Sequence, residues 1–323
     1  YSIPYFSIAA EISDDPQVRT RIVAYRIAFM ATGLIVSSLA PLLVAYGGDG
    51  PAGYSFMSFV FAAVCAATML TPFWVLAKTP LKQATAQTPG LREQIRLAVQ
   101  NKPFLWLVSA NFLQRVAEGA GYATLAYFII YRLELGLDKL APLLLVMSGT
   151  AIAAQPLWVR VAARLGKVRV YWLTLPAYCF VFALWAFAPP QTMGWVYVIG
   201  FLNGLFNSGF LLMAQAMLTD TIEWDARKTG LERAGAYSGL WLANEKVAFT
   251  VGAMITASIL GAFGFVSGTE GAGVVQSQSA INGVVVAFVV TPVVFHMSSL
   301  LLLRNYKLSE ADLAAARSAN PAD

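Results

Sequence analysis

Two charged residues, Arg115 and Glu118, sit three apart in the middle of one long apolar run, and Lys246 sits alone in the middle of another. Residues three apart on a helix share a face, so Arg115 and Glu118 can pair with each other. Asn111, Gln114 and Tyr122 extend that face into one polar stripe. Each charge at mid-bilayer depth costs roughly 2.5–3.5 kcal/mol on insertion scales, so neither should face lipid. The stripe then either borders a water-filled path for a solute or forms a self-neutralised pair that joins two helices. The first reading is favoured, because ionisable residues inside a membrane are functional by default. Lys246, beside Asn244 and Glu245, has the chemistry to bind hydroxyls, to pair with a carboxylate, or to replace a coupling ion with a fixed cation. The competing role is an internal salt bridge. Glu245 is a poor direct partner for it, since neighbours on a helix point about 100° apart.

Other polar residues carry weaker signals. Arg26 enters its span near one end, where snorkelling to the interface costs little, which by itself reads as an anchor. Trp241 lies close enough to Lys246 along the chain to stack on a ligand. Asn203, Asn207 and Gln215 share a span with Gly200, Gly204 and Gly209, whose spacing suits close helix packing. His296, the single histidine in an otherwise apolar span, reads as a packing residue. Cys65 and Cys179 both fall mid-span and read as small apolar fillers. No phosphate loop, metal-ligand cluster or nucleophile elbow occurs, and no nucleotide domain fits, so neither an enzyme nor an ATP-driven pump is expected.

The elements that must hold these residues are membrane helices. Hydrophobic residues make up 58% of the 323 and charged ones 12%, more apolar surface than one soluble core can hide. About twenty apolar residues span a bilayer. The expectation is an all-α polytopic integral membrane protein with eight full transmembrane helices, at 20–47, 53–78, 103–131, 137–163, 168–188, 191–219, 234–264 and 277–303, plus the end of another at 1–10. Every Lys and Arg except Arg115, Arg132, Lys139 and Lys246 falls on one side of this arrangement, which the positive-inside rule makes the cytoplasm, along with the C-terminus. The net charge of +5 is therefore a topology signal, with no nucleic-acid partner behind it. Pro80, Pro89 and Gly90 interrupt a polar stretch, and 91–99 suits a short amphipathic helix. The implied domains are a partial N-terminal half at 1–78, a cytoplasmic linker at 79–102, a six-helix half at 103–303 and a cytoplasmic tail at 304–323. The chain opens with Tyr1 inside a span, which reads as a fragment of a longer protein. Glu11-Ile-Ser-Asp14-Asp15 before Arg19 echoes Asp220-Thr-Ile-Glu223-Trp-Asp225 before Lys228, the mark of a carrier built from two related halves.

These same stretches carry a family resemblance. SIPYFSIAAEISDDPQVRTRIVAYR resembles the fourth-to-fifth helix junction of the glycoside–pentoside–hexuronide:cation symporters, the melibiose-permease branch of the major facilitator superfamily. DTIEWDARKTGLERAGAYSGLWLANEKVAFTVGAMI resembles their tenth-to-eleventh junction. The resemblance implies a major-facilitator-type helical bundle that moves a sugar or related solute with Na⁺, H⁺ or Li⁺ by alternating access. It places Lys246 as the family's helix-eleven lysine and Arg26 as the helix-five arginine near the sugar. Phe6 keeps an aromatic at a sugar-facing position, while Ser2 and Leu211 stand where sugar carriers have an aspartate and a stacking tryptophan. Arg19, Asp220, Glu223 and Arg233 match charged positions of a lock on the cytoplasmic side. The family's cation carboxylates lie mainly on helix two, before this chain begins.

The combined expectation is a monomeric secondary carrier in the plasma membrane, with its C-terminus cytoplasmic and a central cavity between its halves. Arg26, Phe6, Asn111, Gln114, Arg115, Glu118, Tyr122, Trp241 and Lys246 would line the path of the solute. No cofactor or metal is expected beyond the coupling cation. The competing expectations are a carrier of the same fold for a lysolipid or other organic solute, and a non-transporting membrane scaffold.

Overall fold

The computed structural model describes residues 33, 36, 37, 39–48, 50–76, 91–231, 233–266, 275–308, 312, 313 and 315. Ser2, Phe6, Glu11–Asp15, Arg19 and Arg26 lie outside the described residues, as do most of the first expected span and most of the linker. The chain separates into two compact units, Tyr1–Thr88 and Pro89–Asp323.

In the first unit, α1 (Ala40–Tyr46) turns back onto α2 (Gly50–Leu76). Helix α2 carries no charged residue and is exposed along most of its length, as a helix surrounded by lipid would be. Cys65, expected as a packing residue, lies on this exposed surface, whereas Cys179 is buried.

The second unit holds the remaining helices. The short α3 (Leu91–Gln100) is the amphipathic helix expected at 91–99; Ala98 is buried and Glu93 and Arg96 are exposed. Asn101 then caps α4 (Lys102–Tyr127), its side chain accepting the Phe104 N–H at 3.2 Å, with Pro103 in the first turn. A π-helical turn, Phe128–Arg132, carries α4 onward. It is followed by α5 (Leu140–Leu165), α6 (Lys167–Ala183), α7 (Met193–Thr229), α8 (Ala234–Ala262), α9 (Gln278–Val285) and α10 (Thr291–Leu303). A second π turn, Val286–Val290, joins α9 to α10 where Pro292 removes a backbone donor, and the Thr291 hydroxyl donates to the Val286 carbonyl at 3.0 Å. No strand occurs among the described residues.

Among the described residues, six helices are long and apolar enough to cross a membrane: α2, α5, α6 with its 3₁₀ extension to Phe187, α7, α8, and α9–α10 as one. Helix α4 is equally long, at 26 residues, and owes its lower hydropathy to the polar stripe. The spans expected from 53 onward thus correspond to helices, and the chain is a multi-pass membrane protein. Helix α7 departs most from expectation, running ten residues past 219. Glu223 and Arg227 pair one turn apart at 3.0 Å in this extension. The helix stops only at Gly230, whose φ of 68° places it in the left-handed region and whose N–H bonds the Ala226 carbonyl.

Packing sorts the helices into two groups, α4 with α8 and α10, and α7 with α5 and α6. Small residues set the closest approaches. A methyl at Gly204 would collide with the Met147 carbonyl, and one at Gly209 would press on Thr174 and Trp158, so the expected close packing at these glycines is present. At the α4–α8 crossing, Gly119 lies against the Phe249 carbonyl and Gly252 against the Val116 carbonyl. Gly252→Ala should therefore cost about 1–3 kcal/mol by overpacking. Gly261→Ala on the same helix, where nothing lies within 4 Å, should be neutral or slightly stabilising. Thermal denaturation of the two purified variants in detergent checks this, and equal stability would mean that the helices do not cross at these glycines.

Candidate functional site

The glycine crossing brings one cation and two carboxylates together. Arg115 Nη1 donates to Glu118 Oε2 at 2.6 Å, closing the expected pair on α4. Arg115 Nε also lies 3.3 Å from Glu245 Oε1 on α8, an ion pair by distance whose N–H is not aligned for a hydrogen bond. Trp241, one turn before Glu245, donates its indole N–H to the same oxygen at 3.2 Å. The side chains of Arg115, Glu118 and Glu245 are 15%, 9% and 22% exposed. Glu118 Oε1 is buried and accepts no hydrogen bond. The charge-assisted bond to Glu118 strengthens as water is excluded, and the longer ion pair to Glu245 reaches across from α4 to α8 at mid-span.

The rest of the stripe changes character along the helix. Asn111 and Gln114 are each 1% exposed. Asn111 Oδ1 accepts from Asn244 Nδ2 at 3.0 Å, a second link between α4 and α8. Gln114 Nε2 donates to Ser299 Oγ at 3.2 Å, linking α4 to α10. Trp241 is 2% exposed. These three are expected along a solute path; in the structure each is buried and hydrogen-bonded within the unit. Tyr122, two turns beyond Arg115, is 58% exposed, with its ring 5.9 Å from that of Phe249. Lys246 is also exposed, and no described carboxylate lies within ion-pair distance of it. Tyr122, Lys246 and the partly exposed Phe249 therefore offer an ammonium, a phenol and aromatic faces at the edge of the cluster. An ammonium donates to hydroxyl oxygens, and ring faces cover apolar C–H surface.

Glu245 was not among the expected site residues. Its only signal was an acidic residue at mid-span beside Lys246; its partner on α4 is 130 residues away in sequence. His296 behaves as expected, 1% exposed between the rings of Tyr178 and Phe210, with Nδ1 donating to the Pro292 carbonyl at 2.8 Å. Asn203 is fully buried, and neither of its amide atoms is hydrogen-bonded. Leu211 is half-buried and packs against the hydrophobic core.

Of the residues expected in the cytoplasmic lock, Arg19 lies outside the described residues, and Asp220, Glu223 and Arg233 each have a described ion pair. Asp220 takes both of its contacts from Lys167 at the start of α6, at 2.7 and 2.6 Å. Glu223 pairs with Arg227. Arg233 Nη2 donates to Asp225 Oδ2 at 2.6 Å, both side chains being under a tenth exposed. Asn101 Nδ2 lies 3.3 Å from the other Asp225 oxygen and 3.0 Å from the Tyr237 hydroxyl, which fastens the start of α4 to the α7–α8 turn. The segment expected as a tail also packs: Tyr306, Leu308 and Leu313 are buried. The hydroxyls of Tyr306 and Thr221 are 3.1 Å apart, and burial pushes the Tyr306 phenol up to about 12, so it stays protonated.

Comparison with known proteins agrees with this architecture. The family described as MFS/sugar transport protein matches residues 1–310. An isoprimeverose transporter of Lactiplantibacillus pentosus is 25% identical, over 96% of this chain and 65% of its own length. The inner membrane symporter YicJ of Escherichia coli is 23% identical over 94% of this chain and 65% of its own length. A putative glycoside/cation symporter of the same organism, YagG, is 21% identical over 97% of this chain and 68% of its own length. The chain thus spans about two thirds of the length of each of these three relatives, which bear the names of transporters, not enzymes.

Burial separates two kinds of ion pair near the ends of these helices. Arg233→Ala would leave Asp225 buried and unmatched, a loss of about 3–5 kcal/mol. Lys167→Ala breaks a pair whose lysine is about a third exposed, at a cost of about 0–1 kcal/mol. A far lower denaturation midpoint for Arg233→Ala than for Lys167→Ala is expected in detergent; similar midpoints would contradict the structural role of Arg233.

Proposed function

Because this chain belongs to the MFS/sugar transport protein family, we propose that it forms part of a secondary carrier moving a sugar-type solute together with a monovalent cation by alternating access. The observation that carries this reading is the Arg115–Glu118–Glu245 cluster at mid-span, with exposed Lys246 and Tyr122 at its edge. Lys246 donates to the hydroxyl oxygens of the solute, and the rings of Tyr122 and Phe249 cover its C–H faces. Arg115 holds α4 and α8 together beneath that surface. Arg26 and Phe6 are read as solute-binding residues as well, a role supported by their match to the family's motif.

Alternating access needs two conformations of similar free energy between which the solute and the cation choose. In this reading Asp220, Glu223 and Arg233, with Arg19, contribute to closing the cytoplasmic side. The pairs within the C-terminal unit keep its helices in place as it moves. In this reading the carrier is a monomer of the plasma membrane; the distribution of Lys and Arg supports a cytoplasmic C-terminus.

Uptake of labelled isoprimeverose by the full-length protein in proteoliposomes under an imposed cation gradient tests the reading. Accumulation should be competed by other glycosides, and it should be lost in Lys246→Ala and Arg115→Ala with the protein still inserted. Competition by lysolipids alone would favour an amphiphile carrier of the same fold, and unchanged uptake by both variants would remove those residues from the site.

A further inference from the structure

We propose that the turn between α5 and α6 binds the headgroup of an anionic phospholipid, with Arg160, Arg164 and Arg169 holding its phosphate. This site takes no residue from the Arg115 cluster and does not depend on which solute moves.

Charge sets this turn apart. From Leu140 to Thr219 the chain holds no Asp or Glu, yet Arg160, Arg164, Lys167 and Arg169 fall within ten residues. Lys167 is matched by Asp220 of α7 at 2.6 Å. Arg227 and Arg233, near the same end of α7, likewise have carboxylates of their own. The three arginines of the turn are exposed, and their guanidinium groups have no ion pair or hydrogen bond among the described residues. A guanidinium keeps its proton at any accessible pH, so three permanent charges remain unanswered.

Depth identifies the counter-ion. Helix α5 has 26 residues and is therefore about 39 Å long, against about 30 Å of bilayer hydrocarbon. Its last turn, which holds Arg164, then lies among lipid headgroups, and Arg160, one turn earlier, reaches that level by snorkelling. Gly166, with φ of 84°, is the whole connection to α6. Its N–H bonds the Ala162 carbonyl at 2.9 Å, and its carbonyl accepts the Val170 N–H at 3.2 Å. So short a turn keeps Arg169, in the first turn of α6, at the same depth as Arg164.

Exposed apolar side chains continue from these arginines towards the membrane interior. Leu157 lies three residues before Arg160 and seven before Arg164, on one face of α5. Trp172 and Leu173 follow Arg169 by one turn of α6, with Phe180 two turns further on. An exposed tryptophan at this level marks the boundary between headgroups and acyl chains. The planar fork of arginine binds a phosphate through paired N–H groups, where lysine offers only a point charge. A zwitterionic headgroup brings its own ammonium beside the phosphate, so an anionic headgroup is the better match for three cations.

Native mass spectrometry of the full-length protein, stripped of lipid and titrated with phosphatidylglycerol or with phosphatidylcholine, tests the site. The wild type should bind one phosphatidylglycerol in preference to phosphatidylcholine. At about fivefold in affinity per basic residue, the double variant Arg160→Gln/Arg164→Gln should bind phosphatidylglycerol about twenty-five-fold more weakly. Arg304→Gln/Lys307→Gln removes two equally exposed cations just after α10 and should leave the binding unchanged. All four side chains are exposed, so both variants should keep the wild-type denaturation midpoint. Equal weakening by the two double variants would mean a diffuse attraction of basic helix ends for lipid and would overturn the proposal. So would a wild type without headgroup preference, or unchanged binding in Arg160→Gln/Arg164→Gln. Failure of isoprimeverose uptake with the lipid preference intact would count against the sugar reading alone.

Discussion

The cost of placing charge in hydrocarbon organises this protein. Arg115 remains charged at any accessible pH, so at mid-span it must be surrounded by acceptors. The structure supplies them from two helices, Glu118 three residues along α4 and Glu245 across the crossing on α8. That arrangement requires the two backbones to approach closely, which Gly119 and Gly252 permit. Between helices in a membrane, close approach and polar contacts do the joining, because apolar burial distinguishes little between lipid and protein. The glycines and the ion cluster therefore form one device, the former setting the distance that the latter spans.

The same constraint explains where polar groups are spent. Asn111 and Gln114 turn inward and fasten α4 to α8 and to α10, Trp241 is buried with its indole on Glu245 of the same helix, and Lys246, Tyr122 and the ring of Phe249 remain exposed. Near the ends of the helices, where water is available, ionic contacts are more numerous and mostly more exposed. Lys167–Asp220 and Glu223–Arg227 belong to this group, and the buried Arg233–Asp225 pair is the exception. Its position against Asn101 and Tyr237 makes it a joint between the entry to α4 and the α7–α8 turn.

The helices themselves were legible in the sequence because bilayer thickness fixes their length and composition. So were the Arg115–Glu118 pair, which depends only on spacing within one helix, and the packing role of His296. Hydropathy did not show that α7 continues past its apolar run, because charged residues with (i, i+4) partners sustain a helix as well as apolar ones do. Nor did it show that Tyr306, Leu308 and Leu313 pack, since three apolar residues in a short polar segment give no periodic signal. Glu245, Asp225 and Lys167 went unassigned for a different reason. Their partners lie on other helices, and the spacing of residues along one chain does not say which helices meet. Trp241 illustrates the converse: proximity to Lys246 in sequence suggested a ligand, while the helical turn directs its indole to Glu245.

The central claim is that the mid-span charges border water and not lipid, and cysteine accessibility measures this most directly. In a background carrying Cys65→Ala and Cys179→Ala, Lys246→Cys should react rapidly with a membrane-impermeant, water-soluble thiol reagent. Phe180→Cys, at a position 69% exposed among apolar side chains of α6, should stay inert. Equal inertness at both positions would place Lys246 against lipid and contradict the account.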